Sequence, residues 1–333
     1  MIGKTVKYGI LGCGNHAFYS HAIPCKKFFA KELELVSICD ISSDRMKQFE
    51  LEYGSNLKQY LNRAEFFRSG IEFVLVGTPD KYHFSDLKSI MDFGLPAFVE
   101  KPLVVNSVEL KGLWELLKSD QSVVKSDQLI SSCHPRRFDP GYVWLKENLD
   151  NLVTELGKVV EFKFDFSYHK PLKKWKQNRG LLLDHLNHEI DLLHYLFGVD
   201  SFESWRLQDK FDAYSVFGAR DDGIKFSFSG TRKLQSRIYS EFLYLRFERG
   251  DLKLDNLGRV EINNHEGSDS KKCLNVGRTD YENRGYEVIK NFVNVLNKVD
   301  DCYLSKEDLY VNNAMGVMLT ENKYWKYEKN KVL

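Results

Sequence analysis

The feature that most constrains the fold is a glycine-rich turn near the start of the chain. An apolar run at residues 6–11 has the pattern of a buried strand, and Gly12-Cys13-Gly14-Asn15-His16-Ala17 follows it at once. In this G-x-G-x-x-A form, Gly12 permits a tight turn, Gly14 lets a ligand approach the backbone, and small Ala17 allows close helix–strand packing. The N–H groups that open the helix, at Asn15 and His16, can bind phosphate. The turn therefore predicts a strand–helix unit with an anion-binding loop.

An acidic residue ends the second predicted strand. Residues 33–39 have the pattern of a buried strand, and Asp40 follows them. A carboxylate at this place accepts hydrogen bonds from the ribose of a dinucleotide and repels a 2′-phosphate. We therefore predict NAD as the cofactor, with NADP as the alternative because Arg45 is close in sequence. The competing interpretation is a turn with two glycines and an unrelated surface aspartate.

The two halves of the chain have different patterns. Apolar runs at 73–76, 97–99 and 122–130 alternate with helical periodicity, which predicts βαβ units and a doubly wound parallel sheet. Residues 161–168 alternate strictly, with their aromatic side chains on one face, which predicts an α+β second half with a largely antiparallel sheet. Helices are expected near 181–197 and 309–327. Because 333 residues exceed the usual size of one core, we predict domains at 1–128 and 129–333. The final helix is expected to be able to pack back on the first domain.

Charge and composition exclude several classes of function. The formal net charge of +1 gives no overall field that would attract nucleic acid or an anionic membrane. No apolar run approaches the roughly 18 residues that span a bilayer, and the first residues lack the apolar segment of a signal peptide. The 6 cysteines form neither a C-x-x-C pair nor a zinc spacing. Reduced thiols in a cytoplasmic protein are therefore expected.

Two short motifs directly follow predicted strands of the first half. Thr78-Pro79-Asp80-Lys81-Tyr82-His83 follows the run at 73–76, and Glu100-Lys101-Pro102 follows the run at 97–99. Ligands of open α/β sheets bind beyond the carboxyl ends of the strands, so both motifs are expected to face the cofactor. Taken alone, the first motif is a helix-entry turn and Lys101 is a surface lysine.

Together with the glycine turn, these motifs resemble the Gfo/Idh/MocA family of oxidoreductases, which includes glucose–fructose oxidoreductase and inositol dehydrogenase. The resemblance covers nearly the whole chain. It implies that Lys101 lies between nicotinamide and substrate and acts catalytically. In the family, the peptide bond between this lysine and the following proline is often cis. An ammonium group there stabilises a developing alkoxide. The resemblance also implies a cofactor-binding role for Thr78, Pro79, His83, Glu100 and Lys101.

A second polar cluster lies in the helix predicted at 181–197. Asp184 and His188 are four residues apart and Asp191 follows three later, so they share one helix face. The family motif D-x-x-x-H is similar, and the resemblance implies that His188 accepts the proton while Asp184 contacts substrate or orients the site. Histidine suits this task because its unperturbed pKa, about 6.5, is near operating pH. His185 and Leu186 depart from the family pattern, which leaves the substrate open.

Two other interpretations apply to this helix. Its histidines and aspartates have metal-ligand chemistry, but the spacing is not H-E-x-x-H and no strong third ligand is visible, so no metal is predicted. Otherwise His188 is a buried histidine paired with an aspartate. The lysine motif and the glycine turn favour the catalytic interpretation.

An arginine pair, Arg136-Arg137, follows the predicted domain crossover. The resemblance implies that Arg137 contacts the substrate, and Arg136, Tyr168, His169 and Trp175 are further substrate-binding candidates. Paired arginines beside aromatic rings would suit an anionic or nucleotide-linked sugar. The alternative is an arginine pair held in ion pairs at a domain interface.

These features together predict an NAD(P)-dependent oxidoreductase that transfers a hydride between nicotinamide and a secondary alcohol of a sugar, polyol or nucleotide-sugar. Its partners are expected to be a small sugar-like substrate and further copies of the chain, as a homo-dimer or homo-tetramer. The alternative is a regulatory protein of the same fold that binds NAD(P) without catalysis.

Overall fold

The computed structural model describes residues 5–119, 129–169, 180–233, 239–266, 271–278 and 285–332. The chain divides into two compact units, Met1–Pro135 with Tyr281–Tyr310, and Arg136–Asp280 with Val311–Leu333. The boundary predicted at residue 128 lies outside the described residues.

The first unit is built on a parallel sheet of short strands, of which β4 and β5 are wholly apolar and buried. Its strand order is β3-β2-β1-β4-β5-β6, the order of a doubly wound dinucleotide-binding sheet. The prediction of a doubly wound parallel sheet is thus confirmed. The strands are β1 Val6–Leu11, β2 Leu33–Cys39, β3 Lys58–Tyr60, β4 Phe73–Val76, β5 Ala97–Val99 and β6 Ile130–Ser132.

Helices connect these strands, because parallel neighbours require a crossover. The first crossover is continuous but irregular: α1 Asn15–Ala17 passes through a π-helical turn, Phe18–Ala22, into α2 Ile23–Phe28. The other helices of this unit are α3 Ser43–Tyr53, α4 Arg63–Phe67, α5 His83–Asp92, α6 Ser107–Ser119 and α9 Tyr286–Leu296.

The second unit contains a sheet of nine strands in the order β14-β13-β12-β11-β7-β10-β9-β8-β15. All neighbours are antiparallel except β7 and β10, which run parallel. The mostly antiparallel sheet is therefore as predicted. Its strands are β7 Val159–Ser167, β8 Phe202–Lys210, β9 Ala213–Arg220, β10 Lys225–Thr231, β11 Ser240–Phe247, β12 Gly250–Asp255, β13 Arg259–Asn264, β14 Lys271–Asn275 and β15 Tyr324–Tyr327.

One face of this sheet is covered by helices. Phe162, Phe164 and Phe166 of β7 are buried, as the alternation predicts, and α8 Leu181–Phe197 packs over β8, β9 and β10. The other helices with residues in this unit are α7 Pro140–Leu156, α10 Lys306–Glu321 and α11 Lys329–Val332. Within the described residues, no helix has both the length and the apolar character needed to cross a bilayer.

The prediction of one helix near 309–327 is wrong at its end. The helix stops at Glu321, and Tyr324–Tyr327 forms an edge strand paired with β8. The aromatic rings of Trp325 and Tyr327 pack against Phe202 of β8, and this burial outweighs the local helical pattern.

Candidate functional site

The glycine-rich turn has the geometry that its sequence requires. Gly12 has φ +92°, and a Cβ built there would lie 2.5 Å from the backbone nitrogen of Thr78. Both the conformation and the space therefore demand glycine. A Cβ at Gly77 would lie 2.7 Å from that of Ala17, so the start of the helix approaches the end of β4 closely.

Gly14 differs from Gly12 because the side of the residue on which a Cβ would lie is open. A Cβ at Gly14 would meet no atom of the described residues within 4 Å, and the residue has an ordinary φ of −76°. Folding alone therefore does not require glycine here. The space suits close approach of a ligand phosphate to the backbone, so the turn fits the pyrophosphate of a dinucleotide. Asn15 and His16 lead from this open position into the helix.

Asp40 ties the turn to the end of β2. Its Oδ2 accepts the N–H of Cys13 at 2.8 Å, and its Oδ1 accepts the N–H of Ser42 at 2.9 Å. Each carboxylate oxygen retains a second lone pair, so acceptor capacity remains for ribose hydroxyls. The Arg45 guanidinium lies 3.8 Å from Asp40 and is about half exposed.

His83 connects the two motif loops. Its Nδ1 lies 2.7 Å from the carbonyl oxygen of Pro102, and its Nε2 lies 2.7 Å from that of Thr78. Thr78 in turn donates its hydroxyl to Asp86 at 2.6 Å. The buried imidazole thus holds the loop after β4 against the loop after β5, while Pro79 stiffens the first of them.

Glu100 joins the Glu-Lys-Pro loop to the first crossover helix. Its Oε1 lies 3.1 Å from Nε2 of His16 and 2.5 Å from Nε2 of His21. Burial alone would raise the pKa of Glu100, but the two histidines outweigh it and hold that pKa well below its ordinary value. These groups form a compact His–Glu–His cluster with metal-ligand chemistry. In the same loop, the peptide bond between Lys101 and Pro102 is cis.

In the second unit, α8 presents the predicted polar face. Buried leucines anchor the helix on the sheet, and Gly198, directly after its last residue, has φ +75°. Asp184 lies in the first turn, where the helix dipole favours a carboxylate. Its Oδ2 lies 3.4 Å from Nη2 of Arg232, and His188 follows one turn later. The ring of His188 meets that of His185 edge-on, with centroids 5.3 Å apart.

His185, which departs from the family pattern, is built into the core. Its Nδ1 lies 2.6 Å from Glu189, and its ring stacks on Phe166 at a centroid distance of 3.6 Å. Glu189 is fully buried and lies 3.9 Å from Arg136. The unusual histidine is thus accommodated by a buried carboxylate one helical turn away.

The arginine pair is held in buried ion pairs. Arg136 binds both oxygens of Glu241, at 2.9 and 2.7 Å. Burial alone would lower the pKa of Arg136, but Glu241 raises it well above its ordinary value. Arg137 binds Asp191 through three contacts of 2.7–3.1 Å, and Asn312 donates to the same carboxylate at 2.7 Å. This geometry favours the ion-pair alternative for both arginines.

Two of the remaining substrate candidates, Tyr168 and His169, lie at the end of β7. Tyr168 follows the strand, and burial raises the pKa of its hydroxyl to about 12, with Asp184 acting in the same direction. His169 forms a backbone bridge with Lys233. Trp175 lies outside the described residues.

Sequence reasoning missed three groups that the structure places beside the predicted ones: His21, Arg232 and the Glu189/Glu241 pair. A signal existed for Arg232 only. In β10, alternate residues such as Phe226 and Phe228 are buried. The same alternation predicts that Arg232, just beyond the strand, is buried, and it is 7% exposed. A charged residue in the buried phase of a strand marks a buried polar site.

The comparisons with known proteins agree with this architecture. Residues 6–128 match an oxidoreductase family with an NAD-binding Rossmann fold, and residues 146–251 match the C-terminal alpha/beta domain of the same family. A solved oxidoreductase from Agrobacterium radiobacter, in complex with NAD+, L-tartaric acid and magnesium, has a similar fold. The TM-score is 0.81 at 14% identity, over 99% of this chain and 100% of that chain.

Two curated relatives match part of the sequence. The scyllo-inositol 2-dehydrogenase (NAD(+)) of Bacillus subtilis is 27% identical over 203 residues, which are 59% of this chain and 55% of that protein. An uncharacterized oxidoreductase of Schizosaccharomyces pombe is 26% identical over 212 residues, which are 62% of this chain and 55% of that protein. This chain thus spans little more than half the length of these relatives. Since the two family profiles together match more than half of the chain, the protein belongs to the Gfo/Idh/MocA family of oxidoreductases and contains its NAD-binding Rossmann domain.

Proposed function

We propose that this oxidoreductase is a dehydrogenase that interconverts a secondary alcohol and a ketone on a sugar, a polyol or a nucleotide-sugar. The observation that carries the proposal is the face of α8, where Asp184 and His188 lie one turn apart and Arg232 contacts Asp184. A carboxylate and an imidazole in this arrangement suit the binding and deprotonation of a hydroxyl group.

Each residue has a distinct proposed task. His188 accepts the hydroxyl proton, and Asp184 fixes the orientation of the substrate or of the imidazole. Lys101 donates to the substrate oxygen and stabilises its developing negative charge. The carbon loses a hydride as the oxygen loses a proton, so the alcohol becomes a ketone. Bound NAD+ supplies the hydride acceptor.

The proposed cofactor site uses only groups of the first unit. The open side of Gly14 receives the pyrophosphate, and Asp40 receives the adenosine ribose. The carboxylate of Asp40 disfavours a 2′-phosphate, so we propose NAD over NADP. Thr78 and His83 hold the neighbouring loops in place.

The test is a pair of substitutions that remove the reacting groups. Lys101→Met and His188→Asn should each lower kcat by about 10²–10⁴-fold, the usual contribution of a positioned acid or base, and leave NADH binding nearly unchanged. NADH fluorescence measures binding, and absorbance at the NADH band measures turnover on a panel of polyols, sugars and nucleotide-sugars. Lys88→Met and His265→Asn are matched controls, because both residues are exposed.

Two results would reject these assignments. One is wild-type turnover in either active-site variant. The other is tight NADH binding by the unmodified protein with no turnover on any member of the panel, which would instead support a regulator that binds NAD without catalysis.

A further inference from the structure

Arg232 occupies an unusual position for a charged side chain. In β10, Phe226, Phe228 and Gly230 point toward the face covered by α8, and the same alternation places Arg232 on that face just beyond the strand. The residue is 7% exposed. A buried guanidinium is stable only when its N–H donors are hydrogen-bonded. The partners of Arg232 therefore indicate which of its donors can bind a ligand.

The pairing of Arg232 is looser than that of the neighbouring buried arginines. Arg136 and Arg137 each bind a carboxylate through short contacts with two nitrogens. Within the described part of the chain, Arg232 has one contact with a carboxylate, of 3.4 Å from Nη2 to Asp184. The Tyr168 hydroxyl also interacts with this guanidinium, whereas the buried Nε has no hydrogen-bond partner among the described residues. The Nε–Nη2 edge of this side chain is therefore suited to bind an oxygen ligand.

The surroundings of Arg232 belong to the proposed substrate pocket. Ser167 of β7 pairs with Thr231 of β10, so Tyr168 and Arg232 leave adjacent parallel strands side by side. Burial raises the pKa of Tyr168 to about 12, so its hydroxyl is a donor at neutral pH. Asp184, which contacts Arg232, belongs to the same helix face as His188.

A guanidinium edge and a phenol donor form a site for an anion with two oxygens. Arginine pairs with a planar carboxylate through two parallel hydrogen bonds, an arrangement that a neutral hydroxyl does not reproduce.

We propose that Arg232 binds a carboxylate of the substrate, so that the alcohol acted upon belongs to a sugar acid, an aldonate or a uronate, and not to a neutral polyol. This inference rests on the proposed function, because it names the substrate class of the same site. Tyr168 supports the carboxylate, and Asp184 and His188 then engage a hydroxyl of the same molecule.

Calorimetry on the NADH-loaded protein tests the binding step without turnover. The ligands are D-glucuronate, D-galacturonate and D-gluconate, each paired with its neutral counterpart, D-glucose, D-galactose or D-glucitol. At least one acid should bind tenfold or more tightly than its counterpart. Arg232→Gln should abolish that preference, and Arg232→Lys should retain part of it. Lys225→Gln, which removes an exposed cation from the same strand, should leave it unchanged.

The inference is overturned if no acid binds more tightly than its neutral counterpart, or if the preference survives in Arg232→Gln. Should that variant fail to fold, the wild-type comparison and Arg232→Lys decide. Selective binding of an acid without oxidation in the presence of NAD+ would reject the dehydrogenase and keep the anion site. Turnover of neutral polyols alone would reject the anion site and keep the dehydrogenase.

Discussion

Replacing Gly14 by alanine should separate cofactor binding from folding. The residue has φ −76°, which alanine adopts readily. Within the described part of the chain, its added methyl group would contact no atom within 4 Å other than those of its chain neighbours. The substitution should therefore change the free energy of unfolding by no more than about 0.5 kcal/mol through contacts in the folded state. A small additional stabilisation is expected because alanine restricts the unfolded chain more than glycine does. The same methyl group occupies the space through which phosphates approach the turn. The loss of even one hydrogen bond to a charged group, about 1.5–3 kcal/mol, lowers NADH affinity roughly tenfold or more.

Gly12→Ala is the matched contrast. Alanine at φ +92° costs about 1–3 kcal/mol in backbone strain. Its Cβ would also lie 2.5 Å from the backbone nitrogen of Thr78, and relieving such an overlap costs about 1–3 kcal/mol more. The expected total, about 2–6 kcal/mol, is a large fraction of the stability of an ordinary domain.

The assay combines urea denaturation of the cofactor-free protein with fluorescence titration by NADH. Gly14→Ala should unfold at the wild-type midpoint and bind NADH weakly, whereas Gly12→Ala should unfold at a much lower midpoint. Equal destabilisation by the two substitutions would refute the argument from packing. Wild-type affinity in Gly14→Ala would refute the assignment of the open side of the turn to the cofactor.

Three further predictions follow from buried charges and thiols. Because the folded-state pKa of Glu100 lies well below its ordinary 4.5, its contribution to stability is complete above about pH 4.5 and is lost as the pH falls toward the folded value. Glu100→Gln should therefore flatten the acid limb of a plot of unfolding free energy against pH, and an unchanged limb would contradict this. Arg137→Met should destabilise the protein by about 3–5 kcal/mol in urea denaturation, because Asp191 then remains buried without the Arg137 guanidinium. Adding Asp191→Leu should restore part of the lost stability, and a further loss of stability would contradict the pairing. At pH 8, iodoacetamide should label exposed Cys273 quickly and Cys39 only on unfolding, since burial raises the pKa of Cys39 to about 11; mass spectrometry distinguishes the two sites, and equal labelling of the native protein would contradict the burial.

Local patterns predicted most of the fold because the decisive interactions are local or periodic. The glycine turn, the aromatic alternation of β7 and the apolar face of α8 each specify one element. The segment Tyr324–Tyr327 was missed because its conformation depends on β8, which lies more than 100 residues earlier. Periodicity within the segment contains no information on that partner.

The candidate site was predicted less completely, and the missing part is charge pairing. Asp184 and His188 were found from their spacing on one helix. Nothing in the spacing indicated that Arg136 would be neutralised by Glu241, which is 105 residues away. Such pairs form wherever the sheet brings buried groups together. Only the three-dimensional structure therefore reveals which arginines bind a carboxylate through two nitrogens, as Arg136 does, and which, like Arg232, have a nitrogen without a hydrogen-bond partner among the described residues.

The most direct test of the central claim is the fate of the hydrogen on the reacting carbon. The protein is incubated with NAD+ and a set of sugar acids or polyols, each deuterated at one secondary carbinol position. The reduced cofactor is then isolated and examined by NMR. The account predicts deuterium at C4 of the nicotinamide, on one face, from a single carbon position, with little or none formed by His188→Asn in the same time. Reduced cofactor without deuterium, or no reduced cofactor with any member of the panel, would contradict it.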